Sequence, residues 1–297
     1  MALRARKPVS DSEGSAAPFS VSTGIKSADP WLKLFFYGDF GAGKTVLSAQ
    51  AVDIPRMRDV LFLNAEAGLK SIKESESVEH YEDIDSILVQ DYETFVSVHR
   101  MLVAHCQARD AGDESRLERM AQKYGYNPER RYKTVVIDSL SEIENMNFAR
   151  IIGMESDDLL QDMPETTFTD YGRNRQMLHK IVRAFRNLPM NVIVTCGADW
   201  DQDEKKKYKM QPRLTGKLSK DVQAFFDVVG FVQTAAQSSK DDSGDSTGGS
   251  TIARRLWLQP IGKFDAKSRL TPQDIGFIDD PTMKKLISRL TRKSGSK

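Results

Sequence analysis

The sequence predicts an α/β fold: a mostly parallel twisted sheet flanked by helices, with antiparallel strands at its C-terminal edge. Three observations carry this. Short apolar runs of strand length recur at residues 32–37, 60–63, 87–89, 134–137 and 191–195, separated by stretches with helical apolar spacing. The first run stops at a glycine-rich loop with the spacing G-x-x-x-x-G-K-[ST], at Gly38, Gly43, Lys44 and Thr45. From residue 225 onward, two β-rich runs flank the Ser/Gly/Asp segment 237–250, the pattern of an antiparallel hairpin with a flexible connection.

Composition narrows the function classes. A chain of 297 residues can bury the core of one large α/β domain or two smaller ones. A formal net charge of +1 excludes a globally basic nucleic-acid coat, so any such binding must come from a local patch. Cys106 and Cys196 lie far apart without metal-ligand spacing, so neither a disulfide framework nor a zinc site is expected. The charged start, without an apolar stretch, argues against a secretory signal, and no segment approaches a membrane span. These features predict a cytoplasmic protein without a membrane partner.

Residues 1–28 are rich in Ser, Ala, Gly and charge, too poor in large apolar groups to offset the entropy of ordering, and read as a mobile arm. Order begins near Trp31. The run that follows has the apolar continuity of a strand buried on both faces. It delivers the loop Gly38-Asp39-Phe40-Gly41-Ala42-Gly43-Lys44-Thr45, which has the form of a phosphate cradle. Gly38, Gly41 and Gly43 lack Cβ, so the backbone can pass through positive φ and turn N–H groups onto an anion. A helix beginning at Lys44 would point its positive end at the same phosphates. Lys44 is expected at the β- and γ-phosphates of ATP, and the Thr45 hydroxyl at Mg²⁺. The competing reading is a glycine-rich turn that matches by accident.

The second run ends in Asn64-Ala65-Glu66-Ala67-Gly68. A carboxylate just past a strand end sits where open α/β sheets place their ligands, so Glu66 is either a general base or a surface residue at a turn. Phe95, Val98, Met101, Leu102 and Ala104 follow the third run at helical spacing as core residues, with His99 and His105 as ordinary helix residues. Residues 107–132 carry mixed charge and read as an exposed helical insertion. Next, three β-branched residues end in Asp138, the form of a Walker B strand whose carboxylate holds the Mg²⁺ shell.

A helix from 141 leads into an acidic segment at Glu155–Glu165, and a long helix starts near Thr169. The strand at 191–195 ends in Thr195, which either senses the γ-phosphate or attacking water, or simply ends the strand. The loop 197–220 sets Lys205, Lys206, Lys207, Lys209, Arg213 and Lys217 beside Trp200 and Tyr208. Cations with interleaved aromatics suit a single strand, whose phosphates pair while its bases stack; a solvated charged hairpin is the alternative. Residues 29–280 form the core, and 281–297 a short basic helix and tail.

In this order the parts resemble the RecA-like P-loop NTPase core, most closely the phage-encoded RecA-like ATPases of recombination and single-strand annealing, over roughly residues 30–280. The resemblance implies ATP and Mg²⁺ as cofactors, Glu66 as catalytic glutamate, and Asp138 as the Walker B carboxylate. It also implies that Lys267-Ser268-Arg269 is a K-x-R element reaching the γ-phosphate of a neighbouring subunit. Two cations supplied in trans would offset charge developing on the transferred phosphoryl group. Self-association into a ring or filament, single-stranded DNA and a single-strand-binding protein are the partners so implied. The chain departs from the family where the segment after the Walker B helix is strongly acidic, which leaves 197–220 as the main DNA candidate.

The leading expectation is an ATP-hydrolysing oligomer that acts on single-stranded DNA. The alternatives are a nucleotide-gated annealing scaffold that hardly turns ATP over, and a P-loop kinase of a small molecule, which should carry an arginine-bearing lid. An AAA-type motor is disfavoured, because the region after the fifth strand does not read as a helical lid.

Overall fold

A computed structural model describes residues 30–154, 164–202, 208–240, 246–270 and 275–291, without the side chains of 235–252. The predicted mobile arm, the acidic residues Glu155, Asp157, Asp158 and Asp162, the lysines Lys205, Lys206 and Lys207, and the last six residues of the tail lie outside these.

Four parallel strands form the centre: β1 (Lys33–Gly38), β2 (Val60–Asn64), β4 (Thr134–Asp138) and β5 (Asn191–Gln202). Every residue of β1, β2 and β4 is buried, as expected of strands covered on both faces. β3 (Asp85–Leu88) closes one edge parallel to β2, and β7 (Val228–Lys240) lies parallel to β1 on its other side. β8 (Ser246–Trp257) and β10 (Phe277–Asp279) continue that side antiparallel, giving the order β10-β8-β7-β1-β5-β4-β2-β3. β6 (Tyr208–Pro212) pairs with the outer half of β5, and β9 (Lys267–Ser268) with β7. The antiparallel C-terminal edge is therefore as expected. The two strands of the expected hairpin reach further, however: Gln237 pairs with Thr251 and Lys240 with Ser246, inside the segment expected to be connection.

The period of two along β1 sorts its side chains between two cores. Phe35 and Tyr37 enter one core, with side chains from α3 (Tyr92–Ala111), α5 (Leu140–Ile151), α6 (Phe168–Arg186) and α7 (Leu218–Gln223). Leu34 and Phe36 enter the other, with α1 (Lys44–Ala49), α2 (Leu69–Lys73) and α8 (Met283–Thr291). The basic C-terminal helix is thus part of the core: Met283, Leu286 and Leu290 are buried there. α6 begins at a capping box, the Thr167 side chain accepting from the Asp170 N–H and the Asp170 carboxylate from that of Thr167.

The charged insertion is less exposed than its composition predicts. α3 runs into it, and α4 (Glu114–Tyr124) buries Leu117, Met120 and Ala121, so mixed charge marks only its outer face. Arg109 donates to the carbonyls of Tyr132 and Pro189 and ties the segment down. His105 is a buried helix residue, as expected; burial lowers its pKa to about 4 and keeps it neutral. Cys106 and Cys196 are both buried and free. Among the described residues, no helix is long and apolar enough to cross a membrane.

Candidate functional site

β1 and β4 are not neighbours, because β5 lies between them. This order leaves a gap at the strand ends, across which the glycine-rich loop of β1 faces Asp138 of β4. The loop has the expected strained turns at two glycines: Gly41 has φ +71° and Gly43 φ +91°. Gly38 needs to be glycine for another reason, which corrects the expectation of positive φ there. A Cβ on it would fall 2.1 Å from the Val232 carbonyl oxygen on the adjoining β7. The turn is closed by Ala42 N–H donating to the Asp39 carbonyl at 3.3 Å. Lys44 Nζ folds back over the loop, 2.9 Å from the Gly38 carbonyl and 2.8 Å from that of Asp39. Its ammonium is buried, and burial holds its pKa below the usual lysine value, with Glu66 and Asp138 acting in the opposite direction. A cation held without a full carboxylate partner beside open backbone turns is suited to an anion.

Thr45 and Asp138 meet directly: Thr45 Oγ1 donates to Asp138 Oδ2 at 2.9 Å. Asp138 is 1 % exposed, and desolvation raises its carboxyl pKa, against hydrogen bonds from Thr195 and Thr45. Two hard oxygen donors on adjoining elements suit Mg²⁺, which binds through few protein ligands and substrate phosphates. Gly68 borders the same pair: a Cβ there would sit in contact with both, 3.5 Å from Asp138 Oδ2 and from Thr45 Cγ2. The residues therefore fit the expected ion, with Thr45 and Asp138 as the ones to hold it.

Glu66 is brought to this site by the β2 terminus. The N–H groups of Ala65 and Glu66 donate to the Asp138 carbonyl at 2.7 and 3.3 Å, and Asn64 Oδ1 accepts from Gly68 N–H at 3.0 Å. Ala67 takes a left-handed φ of +55°, which completes the turn. Glu66 itself is exposed, and one carboxylate oxygen accepts a hydrogen bond from the Ser139 hydroxyl. A fixed, solvent-facing carboxylate beside Lys44 and Asp138 can receive a proton from water. Ser139, Asn64 and Gly68 are site residues that sequence reasoning missed; the only signal for them is adjacency to Asp138 and Glu66.

Thr195 is fully buried, and its hydroxyl donates to Asp138 Oδ1. This corrects its placement among catalytic groups: Thr195 orients the Asp138 carboxylate and has no surface to offer a phosphate or water.

The loop 197–220 is largely built. β5 extends to Gln202 and pairs antiparallel with β6, followed by α7. Trp200 lies opposite Met210, and Tyr208 opposite Gln202, so both aromatics belong to one face of the hairpin, while Asp201 and Lys209 are opposed on the other. Trp200 is 54 % and Tyr208 64 % exposed. The cations are less free than the sequence implies. Lys209 is ion-paired with Asp265, and the Arg213 guanidinium stacks 4.6 Å from the centre of the Phe40 ring in the phosphate loop. Lys217 is exposed at the start of α7. A cleft of about 1200 Å³ separates the phosphate loop from the hairpin, and Glu66, Glu142, Glu144, Asp199 and Asp201 line it against Arg213. Its acidity argues against a phosphate backbone lying inside it.

Lys267 and Arg269 stand apart from this site. Lys267 pairs with Val229, which pairs with Phe35, three residues before Gly38. That is about 10 Å back along the strand, so they cannot reach their own chain's loop. Burial and the Arg269 charge push the Lys267 pKa down to about 8, against Asp227. Arg269 is exposed, and its Nη2 donates to the Ala224 carbonyl at 2.7 Å.

Residues 31–270 match a family model described as an AAA domain. No curated protein matches the chain. The match places the chain in a family of AAA domains and says nothing of the motor action that the sequence disfavoured. Among the described residues β5 is indeed followed by β6, α7, β7 and β8 instead of a helical lid, but that feature does not decide the family.

Proposed function

Because the chain belongs to the AAA domain family, whose members bind nucleotide and are generally ATPases, we propose that it is a RecA-like ATP hydrolase. In this reading it works as a ring or filament on single-stranded DNA in phage replication or recombination, in annealing or a related step. The observation that carries the ATPase reading is the meeting of Thr45, Asp138 and Glu66 over the loop Gly38–Thr45. The loop N–H groups and Lys44 bind the phosphates, and Lys44 neutralises charge on the transferred group. Glu66 takes the proton of the water that attacks the γ-phosphorus, as ADP leaves. Ser139 orients Glu66, and Thr195 orients Asp138. Thr45 and Asp138 would hold Mg²⁺, which would supply further neutralisation of phosphate charge.

The exposed aromatic face of the β5–β6 hairpin supports the single-strand reading, because base stacking is worth about 1–3 kcal/mol per base. Lys205, Lys206 and Lys207, outside the described residues, would add phosphate contacts. The test is ATP turnover with and without single-stranded DNA, across protein concentration, in wild type and in W200A/Y208A. DNA should stimulate the wild type and not the double variant, with equal basal rates. Absence of stimulation, with a rate independent of protein concentration, sinks both the DNA and the oligomer readings.

In the same reading Lys267 and Arg269 act in trans, and their remoteness from their own loop is consistent with that role. Only protonated Lys267 can offset phosphoryl charge, so the concentration-dependent part of the rate should fall as pH rises through about 8. K267R should carry that part to higher pH, since arginine stays charged. A pH profile unchanged by K267R refutes the role.

A further inference from the structure

β8 carries two successive arginines whose surroundings differ. Arg255 is tied down: its Nε donates to Asp279 Oδ1 at 2.7 Å, and its guanidinium lies 3.9 Å from the Phe277 ring centre. Arg254 belongs to the opposite face of the strand by the period of two. It is exposed, and among the described residues no carboxylate pairs with it. What it meets is the phosphate loop. A Cβ placed on Gly43 would lie 3.3 Å from Arg254 Nε and 3.7 Å from Cζ, so the guanidinium covers the loop where Gly43 has no side chain. The backbone holds this approach: Gly38 pairs with Val232 of β7, Arg254 with Thr234 two residues on, and the Arg254 carbonyl accepts from Asp280 N–H at 2.8 Å.

We propose that Arg254 is a phosphate ligand of the nucleotide held by its own chain, binding the phosphates that are not transferred. The inference rests on the reading of Gly38–Thr45 as a nucleotide loop. Sheet order assigns the phosphates: Asp138 and Glu66 come from strands on the β5 side of β1, whereas Arg254 comes from the β7–β8 side. The hydrolytic groups and Arg254 therefore grip opposite flanks of the bound chain of phosphates. A planar guanidinium presents a rigid fork of donors that matches two oxygens of a diphosphate, a fixed geometry that the freely rotating ammonium of Lys44 lacks. The ligand class is a nucleoside diphosphate or triphosphate, with ADP and ATP held alike.

The measurement is equilibrium binding of ADP, ATP and AMP to the full chain, with steady-state ATP turnover, for wild type, R254A, R254K and R255A. R254A should weaken ADP and ATP by a common factor of about ten or more, raise KM by that factor and leave kcat nearly unchanged, the mark of uniform binding. R254K should recover part of the affinity. R255A should lower the melting temperature without changing ADP affinity of the folded protein. Unchanged ADP affinity in folded R254A overturns the proposal, as does a loss confined to ATP, which would put Arg254 at the transferred phosphate. A fall in R254A melting temperature with unchanged affinity also overturns it, by making Arg254 a packing residue on Gly43. Failure of wild type to bind any of the three nucleotides refutes the loop reading instead, a result distinct from these.

Discussion

E66Q should lower ATP turnover by about 10² to 10⁴ while leaving nucleotide affinity within a few-fold of wild type. The range is that of a positioned general base. The amide keeps the shape of the carboxylate and still accepts from the Ser139 hydroxyl, so the β2 turn should survive. Basicity is what it loses. Because Glu66 is exposed and the amide keeps its one hydrogen bond, from the buried Ser139 hydroxyl, the melting temperature should scarcely move. Equal turnover in wild type and E66Q would remove Glu66 from the chemistry. A parallel loss of ATP affinity would make it a binding group.

D138N should have opposite effects on activity and on stability. Replacing the ion-holding carboxylate by a neutral amide should cut Mg²⁺-dependent turnover by roughly a thousand-fold, since such an ion supplies several kcal/mol of charge stabilisation. The nucleotide-free protein should nonetheless become more stable at neutral pH. Asp138 is buried, and desolvation raises its pKa, so the folded state favours the protonated form. A carboxyl with a raised folded pKa contributes most below its unfolded pKa, and stability falls as pH rises from there through the folded value. At neutral pH the ionised form is therefore a cost, which asparagine removes while still meeting the Thr45 and Thr195 hydroxyls. A gain of about 1 kcal/mol corresponds to roughly 2 to 4 °C for a domain of this size. The gap should close as pH is lowered toward the ordinary carboxylate range. A variant less stable than wild type at neutral pH would mean that Lys44 and the two hydroxyls already offset the buried charge.

These predictions differ in how far the sequence supports them. The loop Gly38–Thr45 and the Asp138 strand end were legible because each is a local pattern: a spacing that dictates backbone turns, and an apolar run that ends in one carboxylate. The boundaries of β1, β2 and β4, and the two β-α units between loop and Asp138, followed from the same periodicities. Mixed charge misled at residues 107–132, because a helix can expose charge on one face and bury Leu117 and Met120 on the other.

What the sequence determined by itself, then, is the α/β class, the phosphate loop and the carboxylate opposite it. Tertiary structure decided who touches whom. Strand order put β5 between β1 and β4, which turned Thr195 onto Asp138 and made it an orienting residue. Register folded Arg213 over Phe40 and split the hairpin into an aromatic face and a charged one. The β7–β8 pairing laid Arg254 on Gly43, a contact for which the sequence holds no local signal. The reason is physical. Spacing along the chain governs backbone conformation within a few residues, whereas a side chain's partners depend on which strands adjoin and in what register, and long-range packing sets both.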